Sequence, residues 1–367
     1  MKILHLETAK EWRGGQQQIA YLVQGLVRHK IPTVLLCPQN SELHKRFEQQ
    51  KLPVQAFPIG HHLSVKTARK IVRFIKENGY DLLHAHSSHA LSLGLLVKTL
   101  HPSLKLVASR RVDFPVKKAV IGSLKYNNPL IDRIVCISRN IAHVLRRDGV
   151  SEHRLTVIHS GIDLHRLHCA PSPGDNEHLK QALGIPGDHL VVGTVAALVG
   201  HKDYPTLLRA AAQVCRKFGK VSFVAVGQGN DRPQLEALAR ELGVEKCFKF
   251  VGFQKNPGEY YRLFDLFVLA SRKEGLGTSV LDAQACGVPV VATKAGGIPE
   301  MITHLQNGYL VAPQAPDALA EGILKLLSDP MLRQKLAEQA KKTVKDFSVE
   351  QTVKKHIALY QKILSEA

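Results

Sequence analysis

The strongest constraint on this chain is a rhythm that occurs twice. Short apolar runs of three to six residues alternate with longer stretches of helical spacing, first over residues 2–158 and again from residue 190 onward. Apolar runs bounded by turn residues and separated by helical patterns read as βαβ units, and such units build a parallel sheet with helices on both faces. In the first half the spacing predicts strands at residues 2–6, 33–37, 54–57, 82–85, 106–108, 133–137 and 156–158. In the second it predicts strands at 190–195, 221–226, 249–251, 266–269 and 288–292, with helices over 204–218 and 232–242. The fold class expected is α/β, with two doubly wound Rossmann-like domains.

The length of 367 residues, well beyond one ordinary core, agrees with two domains. The rhythm stops at Ala170, where PSPGDNEH has the composition of a linker. Expected domains are therefore 1–170, 171–348 and a terminal helix over 349–367, whose Val349, Val353, Ile357, Tyr360 and Leu364 share a helical face that should pack back on a core. Hydrophobic residues at 44% and charged residues at 22% exclude wholesale disorder. Six scattered cysteines without a CxxC pair read as buried thiols in a reducing compartment. No run of 18 apolar residues occurs and the amino terminus does not read as a signal peptide, so the expectation is a cytoplasmic protein, or one held peripherally at the inner face of the plasma membrane.

The net charge of +19 is uneven, with +15 in residues 1–170 and +4 in the remainder. The first half is thus expected to face something anionic. Residues 65–76, VKTARKIVRFIK, place Val65, Ala68, Val72 and Ile75 on one helical face and Lys66, Arg69, Lys70, Arg73 and Lys76 around the other, a pattern suited to an acidic lipid surface.

Chemistry concentrates in residues 271–300, SRKEGLGTSVLDAQACGVPVVATKAGGIPE. If residues 277–286 form a helix, the eight-residue step from Glu274 to Asp282 spans at most about 12 Å, beyond the roughly 5 to 9.5 Å of a hydrolase's carboxylate pair. The two acids are better suited to opposite ends of one elongated ligand. Between them, the N–H groups of Gly277, Thr278 and Ser279 at the helix start would suit a diphosphate. A sugar at Glu274, a diphosphate at the helix start and a ribose at Asp282 describe a nucleotide sugar.

At these residues the sequence resembles the retaining glycosyltransferases of family 4, which have the GT-B fold. The family signature, an acid, seven residues and a second acid, reads Glu274 to Asp282 here, with Asp in place of the second Glu. The resemblance extends through GTVAALVGHKDYPTLLRA, VAVGQGN, FVGF, AGGIPEMI and NGYLV to the tail near FSVEQ. It implies that Glu274 contacts the donor sugar, that Gly275, Leu276, Gly277 and Thr278 contact sugar and phosphate, and that Asp282 holds the ribose. It places Lys202 on the donor phosphates, Gly227 near the donor base, Gly14 and Gly15 in the first-domain glycine loop, and His86 on the acceptor side of a cleft between the domains. Where relatives carry an Arg before that Lys, this chain has Ala197, leaving Arg13, Arg110 and Arg111 as substitute cations. The run of His84, His86 and His89 lacks the Cys or carboxylate partners of a common metal site, and no DxD pair stands out, so the expected chemistry uses neither metal nor cofactor. The expected reaction moves a hexosyl group from a nucleoside-diphosphate sugar to an acceptor hydroxyl, with retention, the donor phosphate itself taking the acceptor proton. The resemblance makes a lipopolysaccharide or other envelope glycolipid the leading acceptor. The rivals are a nucleotide-sugar epimerase of the same fold and a non-catalytic basic module that binds nucleic acid.

Overall fold

A computed structural model describes residues 1–58, 64–114, 120–167 and 175–366. Of the linker expected from Ala170, residues 170–174 lie outside the described residues, as do Cys169, Lys117 and Lys118, while residues 175–178 begin the helix Asp175–Ala182 instead. The chain forms two compact units, Met1–Gly161 with Val349–Ala367, and Ile162–Ser348.

The first unit holds seven strands, β1 (Ile3–Leu6), β2 (Thr33–Pro38), β3 (Val54–Phe57), β4 (Leu82–Ala85), β5 (Lys105–Arg110), β6 (Arg133–Cys136) and β7 (Leu155–Val157). They lie in the order β3-β2-β1-β4-β5-β6-β7, and every pair is parallel. The central strands β1 and β4 are fully buried, as near-continuous apolar runs in a parallel sheet should be. The second unit holds β8 (Leu190–Val195), β9 (Val221–Val226), β10 (Phe248–Gly252), β11 (Leu266–Leu269), β12 (Val290–Thr293) and β13 (Tyr309–Val311), in the order β10-β9-β8-β11-β12-β13, again all parallel. These are two Rossmann-like sheets, each reversing its strand order beside β1 or β8, the point at which ligands bind in such folds.

The terminal helix Val349–Ser365 belongs to the first unit. Val353, Leu359, Tyr360 and Ile363 join Ile3, Leu22, Leu26, Val107 and Val135 in one core, and the Thr352 hydroxyl donates to the His159 carbonyl at 3.0 Å. The helix is therefore bound by apolar burial rather than by the chain connection alone. Of the predicted face, Val349, Val353 and Tyr360 are buried, Ile357 is partly buried, and Leu364 lies at its edge.

Two expectations need correction. The helix Val65–Asn78 turns Thr67, Ala68, Ile71 and Ile75 inward and leaves Val65 47% exposed, so its buried stripe is rotated from the predicted one. Thr67, 7% exposed, joins the buried stripe, and its N–H donates to the N-cap Ser64 hydroxyl at 3.2 Å. Of the six cysteines, Cys37, Cys136, Cys215 and Cys247 are thiols, but Cys286 is disulfide-bonded. Linear spacing does not report which sulfurs the fold brings within bonding reach.

Candidate functional site

The donor-type residues gather in the second unit. The β8 strand ends in a turn whose one-turn 3₁₀ segment Gly200–Lys202 brings Lys202 to the carboxylate of Glu274, to which its ammonium is bonded. The Ser271 hydroxyl donates to the same oxygen at 3.1 Å, and Glu274 is only 8% exposed. A carboxylate so deep is retained because it is paired and hydrogen-bonded. The loop is held from above by the Gly-Gly turn after β12. Gly296 has φ +54°, and a Cβ there would lie 1.7 Å from the Glu274 carbonyl oxygen, so no other residue fits without displacing the acid.

Gly277, at φ +90°, caps the helix Thr278–Ala285 without a side chain to meet its N–H groups; the Val280 N–H turns back to the Gly277 carbonyl at 2.9 Å, while those of Thr278 and Ser279 have no partner among the described residues. Those donors and the positive end of the helix remain available to an anion beside Glu274. Leu276 is 2% exposed, so its side chain is core and only its backbone can face a ligand. Further along the same helix, Asp282 is 8% exposed; its Oδ2 accepts from Arg166 at 3.1 Å, while Oδ1 is buried without a partner. Burial pushes its carboxyl above the usual range, against the opposing pull of Arg166. Among the described residues nothing donates to that oxygen, which leaves it open to a donor from a ligand. Gly227, at φ +149°, has a packing reason of its own, since a Cβ would lie 2.0 Å from the Ala196 carbonyl oxygen.

In the first unit, Gly14 and Gly15 open the helix Gly14–Arg28. Neither has a positive φ and Gly14 has open space around it, so the pair makes no strained turn, and the Gln16 side chain accepts from the Arg13 N–H at 3.0 Å at the helix start. Arg111 lies against Gly15, with its Cδ 3.5 Å from where a Cβ would stand. The three substitute cations then separate. Arg13 pairs with Glu11 at the surface, and Arg110 is taken up by the Tyr126 hydroxyl at 3.3 Å and the Phe114 carbonyl at 2.6 Å. Arg111 keeps a buried Nε–H without a partner among the described residues; burial lowers the guanidinium to about 10, so it stays cationic at neutral pH.

His86 does not stand free in this site. It is 3% exposed and belongs to a buried imidazole chain with His5 and His84, whose strands β1 and β4 are in register at those two residues. Arg111 can only donate, so His86 Nδ1, at 3.5 Å from it, accepts. Neutral His86 then carries its proton on Nε2 and donates to His5 Nδ1 at 2.8 Å, which leaves the His5 proton on the unpartnered Nε2. His84 is held between the Tyr360 hydroxyl at 2.6 Å and Ser109 at 2.8 Å. Burial keeps His84 and His86 well below the usual imidazole range and lowers His5 to about 3. His5, His84 and His86 are also the one metal-capable group among the described residues. Five of their six nitrogens are engaged in hydrogen bonds, His5 Nε2 being the exception, and a guanidinium adjoins them, so the donor set fits imidazole pairing better than a cation.

The sequence alone singles out Glu274, Lys202, Asp282 and the two glycine turns, and the structure brings Lys202 to Glu274. Sequence reasoning missed Ser271, Arg166, Tyr360 and the role of His5. Ser271 lies three residues before Glu274 on a segment already singled out. Arg166 is 116 positions from Asp282 and carried no signal.

Two Rossmann-like units, the second bearing a lysine-paired acid beside an uncapped helix start, define the GT-B glycosyltransferase class. The comparisons agree. The model described as Glycosyltransferase Family 4 matches residues 12–166, and that of Glycosyl transferases group 1 matches residues 175–343. A D-inositol 3-phosphate glycosyltransferase of Salinispora arenicola is 30% identical over 308 residues, 77% of this chain and 68% of the relative. The N-acetyl-alpha-D-glucosaminyl L-malate synthase of Bacillus anthracis is 26% identical over 310 residues, 82% of this chain and 79% of the relative. Anabaena HepE, solved with UDP, superposes with a TM-score of 0.88 at 24% identity, covering 99% of this chain and 100% of that one. The chain belongs to glycosyltransferase family 4, and it is a glycosyltransferase.

Proposed function

We propose that the protein transfers a hexosyl group, with retention and without a metal ion, from a nucleoside-diphosphate sugar to an acceptor hydroxyl. The observation that carries this reading is the set formed by Glu274, Lys202, the bare helix start at Gly277 and Thr278, and the orphaned Oδ1 of Asp282. Glu274 contacts the sugar. Lys202 and the helix N–H groups, with the backbone of Gly275 and Leu276, hold the diphosphate and stabilise it as it leaves. Asp282 takes the ribose hydroxyls, for which its free oxygen lacks only a donor. The donor's own phosphate receives the acceptor proton, so no protein nucleophile is needed. HepE, which shares the fold, has been solved with UDP and with UDP-glucose, in keeping with such a donor.

On the acceptor side, His86 orients Arg111 rather than acting as a free base, and Arg111 beside Gly15 receives an anionic group. The relatives named above act, by their names, on an inositol phosphate and on malate, both anionic acceptors of modest size. A second reading, an envelope glycolipid such as a lipopolysaccharide met at the inner membrane face, is favoured by the exposed Lys66, Arg69, Lys70, Arg73 and Lys76 on one helix. Among the described residues no helix is long and apolar enough to cross a membrane, so such an acceptor would be reached peripherally.

A thermal-shift panel of nucleotide sugars tests the donor, since a ligand of the folded state raises its melting temperature. Product analysis with donor alone and with donor plus inositol phosphate, malate or a lipid acceptor separates transfer from epimerisation. Stabilisation by no nucleotide sugar, joined to salt-sensitive RNA binding, would refute the proposal in favour of a nucleic-acid module. Vesicle co-sedimentation across a salt series decides the lipid reading; binding equal on neutral and anionic vesicles, or absent from both, removes it.

A further inference from the structure

Two cysteines outside the site described above lie face to face in the second unit. Cys215 is near the end of the helix Tyr204–Phe218, and Cys247 is in the turn that enters the edge strand β10. Their sulfurs are 2.7 Å apart, only about 0.7 Å beyond the ~2.05 Å of a disulfide bond. Both are thiols and both are partly exposed, so a solute can reach them. The remaining described thiols, Cys37 and Cys136, are buried and have no such neighbour among the described residues.

We propose that Cys215 and Cys247 are a redox-modification site, a thiol pair that closes to a disulfide by exchange with a small disulfide such as oxidised glutathione. The local hydrogen bonds assign the roles. The Cys247 thiol donates to the Val244 carbonyl at 3.4 Å, which leaves Cys215 as the donor between the two sulfurs. A donor aimed at Cys247 favours its thiolate and lowers it, while Cys215 is raised. The Cys247 thiolate attacks one sulfur of oxidised glutathione, the glutathione S–S bond breaks, and one glutathione thiolate leaves and takes up a proton. Cys215, losing its proton to solvent, attacks the Cys247 sulfur of the mixed disulfide and expels the second glutathione. Two protein thiols are oxidised by two electrons, and one glutathione disulfide is reduced to two thiols. The new bond ties the helix end to the edge strand, enclosing β9 and the helix Arg232–Glu241.

The test uses the full chain, reduced with dithiothreitol, freed of reductant and incubated with oxidised glutathione. It is then alkylated with N-ethylmaleimide and digested without reduction for mass mapping. The expected products include a peptide pair joined through Cys215 and Cys247, beside any linkage reformed by Cys286, and dithiothreitol returns that pair to two separate thiol peptides. In Cys215→Ser, whose fold is checked by circular dichroism, Cys247 should instead keep a stable glutathione adduct because no neighbouring thiol resolves it. Recovery of both cysteines as alkylated thiols, or as separate glutathione adducts in the unsubstituted chain, overturns the proposal. An unmodified Cys247 in Cys215→Ser overturns its assignment as the attacking thiol.

Discussion

The ammonium of Lys202 is bonded to the carboxylate of Glu274, 72 residues further along the chain. Their side chains are 16% and 9% exposed, so each charge is neutralised chiefly by the other. On the proposed reading, a diphosphate at the helix start would compete for Lys202 and a sugar hydroxyl at Glu274 would supply the hydrogen bond that the acid then lacks, so that ligand contacts would replace the resting pair.

Glu274→Gln keeps the shape and the bond from Ser271 but removes the charge. It should lower kcat/KM by about 10- to 100-fold, the equivalent of a charge-assisted hydrogen bond of about 1.5 to 3 kcal/mol. Steady-state kinetics beside a melting curve check this, and a folded variant with ordinary turnover sinks the assignment.

Asp282 separates binding from stability. Its folded pKa is raised, so the folded chain binds a proton more readily than the unfolded one, and its contribution to stability falls as pH rises through and above the ordinary carboxylate range. Asp282→Asn should therefore melt no lower than the parent at pH 7, with the difference between them narrowing towards pH 4. The donor KM of the same variant should rise by about tenfold or more. Unfolding curves at several pH values and donor titrations test the two halves independently.

The three arginines near the glycine loop should differ. Arg111→Ala should raise the KM for an anionic acceptor, and Arg111→Lys should restore little, because an ammonium cannot reproduce the fork that meets both His86 and a ligand. Arg110→Ala should mainly lower the melting temperature, since Arg110 ties Phe114 and Tyr126. Equal KM effects from both would remove the distinction.

The buried histidines set an acid limit. His5 and His356 are lowered to about 3 and about 4, so the unfolded chain takes protons that the folded chain refuses. Stability from these groups is complete above their unfolded pKa near 6.5 and is lost as pH falls from there towards 4 and 3, each tenfold difference in proton affinity between the two states being worth about 1.4 kcal/mol. Melting temperatures should fall over this window, and His356→Gln should flatten the slope; an unchanged slope would mean that other groups control it.

Chelation with EDTA should leave transfer unchanged if Lys202 and the helix start neutralise the leaving diphosphate. Loss of activity restored by added magnesium or manganese would refute the metal-free reading.

Much of this protein was legible in its sequence. Strands β3, β4, β8, β9 and β11 begin and end where their apolar runs do, because a strand buried on both faces needs a continuous run and turn residues to close it. Glu274, Lys202 and Asp282 were equally readable, since their spacing around one loop and one helix is local and a single chain segment presents most of it. What the tertiary structure decided was pairing across long separations. That Arg166 meets Asp282, that Tyr360 of the last helix fixes His84, and that Arg111 alone among three arginines keeps a buried donor unpaired among the described residues depend on strand order and helix docking. Sequence periodicity reports the face on which a residue lies, whereas its partner is set by strand order and helix docking. Those follow from the burial of whole elements and leave no mark at the individual positions they bring together.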